Sequence, residues 1–163
     1  TVQIPQIRFA DAKELYAKTS GKKITDPVDL SPEEEKWLGQ HFFAETGSPL
    51  VFVTHYPSVK RPFYAMDDPE NPRYTLSYDL LLHGLEITTG GQRIHDYEQQ
   101  VAKMKKRHMD PADFENYLTM HKYGLPPHGG FGLGMERVVE KLLGLENIRE
   151  AAAFPRDRNR LQP

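Results

Sequence analysis

The sequence predicts an α+β protein in which one β-hairpin carries most of the chemically active residues. Residues 78–95 hold apolar strand formers on both sides of a His83-Gly84 pair, which is typical of two strands joined by a tight turn. Residues 49–55 are apolar and β-branched, as in a buried strand. Residues 31–34 place a capping serine, a proline and Glu34 as in a capping box, and so predict a helix start.

The other elements are predicted from local patterns of the same kind. Proline and glycine positions, capping residues and apolar spacing define them. In chain order they are an extended segment 1–9, a helix 10–18 followed by Gly21, a helix from Ser31 to about Glu45 that stops at Gly47, the strand 49–55, a short strand 61–64, a surface loop 66–74, the hairpin, a helix 97–107, a helix from Asp110 to about Tyr123, a glycine-rich loop 124–134, and a helix from Met135 that Gly144 ends.

Composition excludes several classes of function. The chain has 163 residues, 38% of them hydrophobic, which is enough for one globular core. A formal net charge of −2 gives no overall basic field for nucleic acid, although a local basic patch remains open. The absence of cysteine excludes disulfides and cysteine metal sites. No apolar run reaches membrane-spanning length, so we expect a cytoplasmic protein without membrane contact.

The hairpin predicts a divalent metal site beside a carboxylate-binding arginine. Around a turn at His83-Gly84, Asp79 and Glu86 become diagonal neighbours on one face, and their repulsion favours a cation between them. The Gly90-Gly91 pair predicts a bulge or a close ligand approach that turns Thr89 and Arg93 towards the same pocket. The alternative is a structural hairpin with a solvated polar face.

The glycine-rich stretch 124–134 opens directly into a helix. Glycines permit close backbone approach and helix starts favour anions, so a nucleotide site is predicted, with Arg137 able to reach a phosphate. The alternative is that the glycines only allow tight packing of the helix on a sheet. The basic cluster 154–160 is either a solvated tail or a contact for a polyanion.

Several of these stretches resemble one family. Gly132-Leu-Gly-Met-Glu-Arg137, with residues 144–150 and 154–157, resembles motif 3 of the class II aminoacyl-tRNA synthetases. Residues 84–96 and 61–64 resemble the aspartyl-tRNA synthetases, in particular the archaeal-type branch, whose members include forms that do not discriminate between the tRNAs for aspartate and asparagine. The resemblance runs through essentially the whole chain and implies an antiparallel sheet flanked by helices, as a partial class II catalytic core.

The resemblance also implies roles for individual residues. Magnesium would contact Asp79, Glu86 and Thr89, and aspartate would contact Thr89 and Arg93. ATP would be bound by Glu86 and by the turn formed by Gly134, Met135, Glu136 and Arg137, and Glu86 and Arg137 would be the catalytic residues. The chain departs from the archaeal pattern at Thr89, where serine is usual; the hydroxyl is kept, and the extra methyl changes the local fit.

The implied activity is the ATP- and magnesium-dependent activation of aspartate and its transfer to tRNA, by a protein that is a homodimer at full length. No anticodon-binding domain, motif 1 or motif 2 is recognisable, so residues 1–163 are expected to be the C-terminal part of a catalytic domain that is inactive by itself. Three alternatives remain: an asparaginyl-tRNA synthetase, a synthetase-like asparagine synthetase, and a non-catalytic synthetase-like module. Arg93 favours the aspartyl enzyme, because an arginine matches a carboxylate better than an amide.

Overall fold

A five-stranded sheet forms the centre of the protein, and its strands lie side by side in chain order. The computed structural model describes residues 3–159 and 161. The first strand runs parallel to the second, and every other neighbouring pair is antiparallel. The strands are β1 (Gln6–Arg8), β2 (Leu50–Thr54), β3 (Ser77–Leu82), β4 (Leu85–Arg93) and β5 (His128–Leu133). The predicted α+β class, with a sheet flanked by helices, is confirmed; the parallel pair at one edge follows from the helical crossover between its strands.

The helices agree closely with the predicted boundaries. They are α1 (Phe9–Ser20), α2 (Pro32–Thr46), α3 (Tyr97–Lys106), α4 (Glu115–Lys122) and α5 (Met135–Leu143), with short 3-10 turns at Pro111–Phe114 and Ile148–Ala151. The capping box at the start of α2 is present, since Ser31 and Glu34 each accept the other's backbone N–H. Within the described residues, no helix combines the length and apolar character needed to cross a membrane.

One face of the sheet is covered by α1 and α2. Its core contains Phe9, Ala12, Leu30, Leu38, Val51, Val53, Tyr56 and Leu81. A buried ion pair joins the two helices, with Lys13 Nζ 2.7 Å from the Glu34 carboxylate and both side chains less than a tenth exposed. Glu34 therefore has two functions: it closes the cap of α2 and it neutralises a buried lysine.

The hairpin between β3 and β4 turns at the predicted residues. His83 (φ 48°) and Gly84 (φ 74°) are both left-handed, which is the backbone of a two-residue type I′ turn. Helix α2 lies directly against this turn, because a Cβ on Gly84 would be 2.6 Å from the Lys36 Cα. A Cβ on Gly39 would likewise be 2.6 Å from the Gly84 Cα. Two glycines thus bring the α2 backbone into contact with the hairpin backbone.

Two predictions of local structure are wrong. Residues 61–64 form a turn rather than a strand, because Pro62 has no N–H for a ladder and its carbonyl accepts the Ala65 N–H at 3.0 Å. Within the predicted loop 124–134, residues 128–133 form β5, which pairs with β4 along its whole length. The glycines there fit a strand because β5 lies close to its neighbour: a Cβ on Gly129 would be 2.9 Å from the Gly91 carbonyl oxygen.

The irregularity in β4 also lies elsewhere than predicted. Gly90 and Gly91 continue the strand and pair with neighbours on both sides, whereas the register shifts at Ile87, between the pairs Leu80–Thr88 and Leu81–Glu86. Residues 1 and 2 of the predicted extended segment, and residue 160 of the basic cluster, lie outside the described residues.

Candidate active site

A cavity of about 260 Å³ lies where β4 and β5 meet the turn at residues 61–65. Both Thr89 and Arg93 line it, as predicted. No break in the strand is needed for this, because residues four apart in a strand share a face. The other lining residues are Arg61, Pro62, Tyr64, Ala65, Ser77, Gly90, Gly91, Gln92, Gly130, Phe131 and Gly132.

The Arg93 guanidinium is held by stacking and is free for a ligand. Its central carbon lies 4.9 Å from the centre of the Tyr64 ring. A Cβ on Gly130 would lie 3.1 Å from Nη2, so the glycine in β5 leaves room for the arginine. Among the described residues no carboxylate forms an ion pair with Arg93. An oriented, unpaired guanidinium in a small cavity suits a ligand carboxylate.

Glu86, Thr89 and Arg137 form a contiguous group at the start of β4. The Thr89 hydroxyl donates to Glu86 Oε1 at 2.8 Å. Arg137 Nη1 donates to the Glu86 carbonyl at 2.6 Å and lies 3.5 Å from Oε1. Residues 86 and 89 are an odd number of positions apart and would lie on opposite faces of a regular strand. The bulge at Ile87 brings them to the same side.

Asp79 is the diagonal neighbour of Glu86, as predicted, since Leu81 pairs with Glu86. It lies opposite Thr89 and is buried. Its Oδ2 accepts from Arg61 Nη2 at 2.7 Å, and the same guanidinium lies 3.9 Å above the Tyr56 ring. The other carboxylate oxygen, Oδ1, is buried without a hydrogen-bond partner among the described residues.

These residues fit the magnesium ion that the resemblance implies. Magnesium at nucleotide sites is usually held by one or two carboxylates together with substrate phosphates, not by a full protein cage. The unpartnered Oδ1 of Asp79 and the part-exposed carboxylate of Glu86 supply such ligands. In the described part of the chain, no group of three or more His, Cys, Asp or Glu side chains could hold a metal ion.

The start of α5 offers backbone donors beside this group. Gly134 is the N-cap, and no side chain caps the helix. The Gly134 N–H donates to the Ile87 carbonyl at 2.8 Å, and this hydrogen bond joins the helix start to the bulge. The N–H groups of the first turn, from Met135 to Arg137, therefore face outward at the positive end of a helix, an arrangement that suits phosphate.

Sequence reasoning missed two contributors to the site. Arg61 belongs to a recognised motif, but its ion pair with Asp79 spans 18 positions and shows only in the fold. Glu35 lies in the first turn of α2, and its sequence position indicates nothing beyond a residue inside the predicted helix. Burial raises the pKa of Glu35 to about 7, and repulsion from Glu86 adds to the rise. The nearby Glu86 N–H and Arg137 oppose it.

Comparison with known proteins places this geometry in a family. The sequence-family model of the class II tRNA synthetases (D, K and N) matches residues 1–158. An aspartate–tRNA(Asp/Asn) ligase of Thermus thermophilus is 50% identical over 160 residues, which are 98% of this chain and 37% of the relative. The chain thus spans little more than a third of that relative's length.

Two solved structures are similar over nearly the whole chain. The aspartyl tRNA synthetase of Entamoeba histolytica has a TM-score of 0.92 and 36% identity, covering 98% of this chain and 33% of that one. The asparaginyl-tRNA synthetase of Pyrococcus horikoshii, complexed with asparaginyl-adenylate, has a TM-score of 0.88 and 37% identity, covering 99% of this chain and 36% of that one.

Proposed function

This chain belongs to the class II tRNA synthetases (D, K and N), and we propose that it forms the C-terminal part of the catalytic domain of an aspartate–tRNA ligase. The proposed activity of the whole protein is the activation of aspartate with ATP and the transfer of the aspartyl group to tRNA. The similarity to a ligase named for aspartate, over 98% of the chain, supports this substrate.

The observation that carries the proposal is the unpaired Arg93 in a cavity beside Glu86, Thr89 and the start of α5. In this proposal Arg93 binds the side-chain carboxylate of aspartate, and Thr89 helps to place the amino acid. Glu86 and the turn from Gly134 to Arg137 bind ATP.

The proposed reaction needs the two substrates to be aligned, and it needs no nucleophile from the protein. The α-carboxylate oxygen of aspartate attacks the α-phosphorus of ATP, the bond to the bridging oxygen breaks, and aspartyl-adenylate and pyrophosphate form. Arg137 balances negative charge on the phosphates, and Arg93 fixes the direction of attack by holding the far end of the amino acid. Magnesium, when bound at Asp79, Glu86 and Thr89, neutralises phosphate charge and orients the leaving group.

In the second reaction a hydroxyl of the terminal ribose of tRNA attacks the adenylate carbonyl and AMP leaves. The partner is a tRNA for aspartate and, as the name of the Thermus relative suggests, also one for asparagine. We extend the proposal to a cytoplasmic homodimer at full length, as the resemblance implies.

Asparagine is the competing amino acid, because one structural neighbour is an asparaginyl-tRNA synthetase with its adenylate. The discriminating test is calorimetric binding of non-hydrolysable aspartyl- and asparaginyl-adenylate analogues, with magnesium. We expect the aspartyl analogue to bind more tightly, and Arg93→Gln to lower its affinity roughly 10- to 150-fold, the range for a hydrogen bond to a charged group. A preference for the asparaginyl analogue would reject the aspartyl assignment.

Catalysis by the chain alone is a separate measurement. Aspartate-dependent exchange of pyrophosphate with ATP reports adenylate formation directly. We propose that this chain supports little or no exchange by itself, because it matches only 37% of the length of its relative. Exchange at a rate typical of an intact synthetase would contradict that part of the proposal and leave the substrate assignment standing.

A further inference from the structure

Tyr64 and Ala65 form one wall of the candidate active site and lie against the end of β4. The Ile94 N–H donates to the Tyr64 carbonyl at 2.9 Å, and Ala65 forms an antiparallel bridge with Arg93. This pairing brings the Tyr64 ring to the Arg93 guanidinium, whose central carbon is 4.9 Å from the ring centre. The orientation of the guanidinium therefore depends on where the segment 63–65 lies.

Helix α3 holds the same segment through two side chains. Gln100 Nε2 donates to the Phe63 carbonyl at 3.1 Å, and Lys103 Nζ donates to the Ala65 carbonyl at 2.5 Å. The two side chains are three positions apart, so they share a face of the helix. Consecutive carbonyls of the segment thus alternate in their partners. Those of Phe63 and Ala65 accept from α3, and that of Tyr64 accepts from the backbone after β4.

Both donors are buried. Gln100 is 0% exposed, and its Oε1 has no hydrogen-bond partner among the described residues. A buried amide oxygen without a partner is unfavourable, and a leucine would fill the same volume without it. The donor to Phe63 is therefore what the glutamine adds. Lys103 has a side chain only 5% exposed, and its charge is balanced by Asp67 at 2.6 Å.

We propose that Gln100 and Lys103 are positioning residues, which hold the segment 63–65 from α3 and so keep Tyr64 stacked on the guanidinium that receives the aspartate carboxylate. This inference rests on the proposed function, because it takes Arg93 as the residue that binds aspartate. Neither Gln100 nor Lys103 is among the described residues that line the cavity, so both act through the segment.

The test uses two independent variants and a matched control. Gln100→Leu removes the donor together with the unpaired oxygen. Lys103→Met removes the other donor, and Asp67 still accepts from the Ser58 hydroxyl at 2.6 Å. Gln99→Leu is the control, since it is the same substitution at the exposed neighbouring position of α3. Each variant decides for its own residue, so the test stands even if one of them fails to fold.

The readouts are the hydrogen-exchange rate of the Ile94 amide by NMR, and the affinities for ATP and for the non-hydrolysable aspartyl-adenylate analogue by calorimetry with magnesium. We expect Gln100→Leu and Lys103→Met each to speed the exchange and to weaken binding of the aspartyl analogue roughly three- to tenfold, the range for one hydrogen bond. The affinity for ATP should stay unchanged, and Gln99→Leu should resemble the wild type.

Combination with Arg93→Gln tests whether the effect passes through the arginine. A residue that acts only by orienting Arg93 loses its influence when the guanidinium is removed, so the two losses should not add. Gln100→Leu and Lys103→Met should therefore weaken binding of the aspartyl analogue no further in the Arg93→Gln chain.

Three results would overturn the inference. A variant that keeps the wild-type affinity for the aspartyl analogue shows that its residue does not position Arg93. An equal loss of ATP affinity, or a loss that adds in full to that of Arg93→Gln, indicates a general structural role instead. A wild-type chain that does not bind the aspartyl analogue would reject the proposed function itself, and the inference with it.

Discussion

The contact between α2 and the hairpin gives a prediction whose sign is opposite to that of helix propensity. Gly39 lies inside α2, where replacing glycine by alanine normally stabilises a helix by about 1 kcal/mol. In this protein the new Cβ would lie 2.6 Å from the Gly84 Cα, whereas ordinary contacts begin near 3.4 Å. Both partners are backbone, so a side-chain rotation cannot relieve the overlap; the Gly84 N would lie closer still than its Cα, and α2 must move by roughly 1 Å.

Overpacking of this kind costs about 1–3 kcal/mol and occasionally more. With backbone on both sides we expect the upper part of that range, and after the propensity gain Gly39→Ala should destabilise the protein by about 2 kcal/mol. For a chain of this size that lowers the melting temperature by roughly 4–8 °C. Urea titration and thermal melting, both followed by circular dichroism, measure the two quantities.

Gly132→Ala is the matched control for this experiment. It is the same substitution, but a Cβ on Gly132 has nothing within 4 Å. We expect it to be neutral or to stabilise by about 0.5 kcal/mol through the unfolded state. If Gly39→Ala were as stable as the wild type or more so, the close contact between helix and hairpin would not exist as described, and the placement of Glu35 would lose its support.

Three further predictions concern buried charges. Lys13→Met should destabilise by about 3–5 kcal/mol, because Glu34 is left charged and buried, and adding Glu34→Gln should recover part of the loss in urea titrations; additive losses would contradict the pairing. Arg61→Met should cost a similar amount by leaving Asp79 unpaired, and Asp79→Asn in the same chain should again recover part of it. The pKa of Glu35 is raised from 4.5 to about 7, so the folded state binds the extra proton. The contribution of Glu35 to the stability should therefore be greatest below pH 4.5 and fall as the pH rises towards 7. After allowance for partial exposure, the loss relative to Glu35→Gln should be roughly 1–2 kcal/mol. Chemical unfolding of the wild type and of Glu35→Gln across that pH range measures the loss. Parallel curves of stability against pH for the two proteins would refute the prediction.

Local sequence signals predicted much of the secondary structure correctly. The capping box of α2 and the turn at His83-Gly84 are each encoded by a few adjacent residues, and the structure confirms both. The shared pocket of Thr89 and Arg93 could also be predicted, because strand periodicity alone places residues 89 and 93 on one face.

Features that depend on neighbouring strands and helices could not be predicted in this way. The glycines of β5 resemble a loop until β4 is seen beside them, where they allow a close strand pair. The bulge at Ile87 has no sequence signal of its own, whereas Gly90 and Gly91 suggested one wrongly. The position of Glu35 beside Glu86 is set by the packing of α2 on the hairpin, which no local pattern contains.

The order of strands in the sheet has a consequence for how the chain acquires its structure. The hairpin of β3 and β4 closes through two residues, so its contacts form at small entropic cost and it is a natural folding nucleus. Pairing of β4 with β5 must wait for closure of the connection from residue 94 to 127, and pairing of β1 with β2 for that from 9 to 49. These long-range pairings raise the contact order and slow folding. We therefore expect Asp79, Glu86, Thr89 and Arg93 to come together in this nucleus, and Arg137 to join them only when β5 has docked.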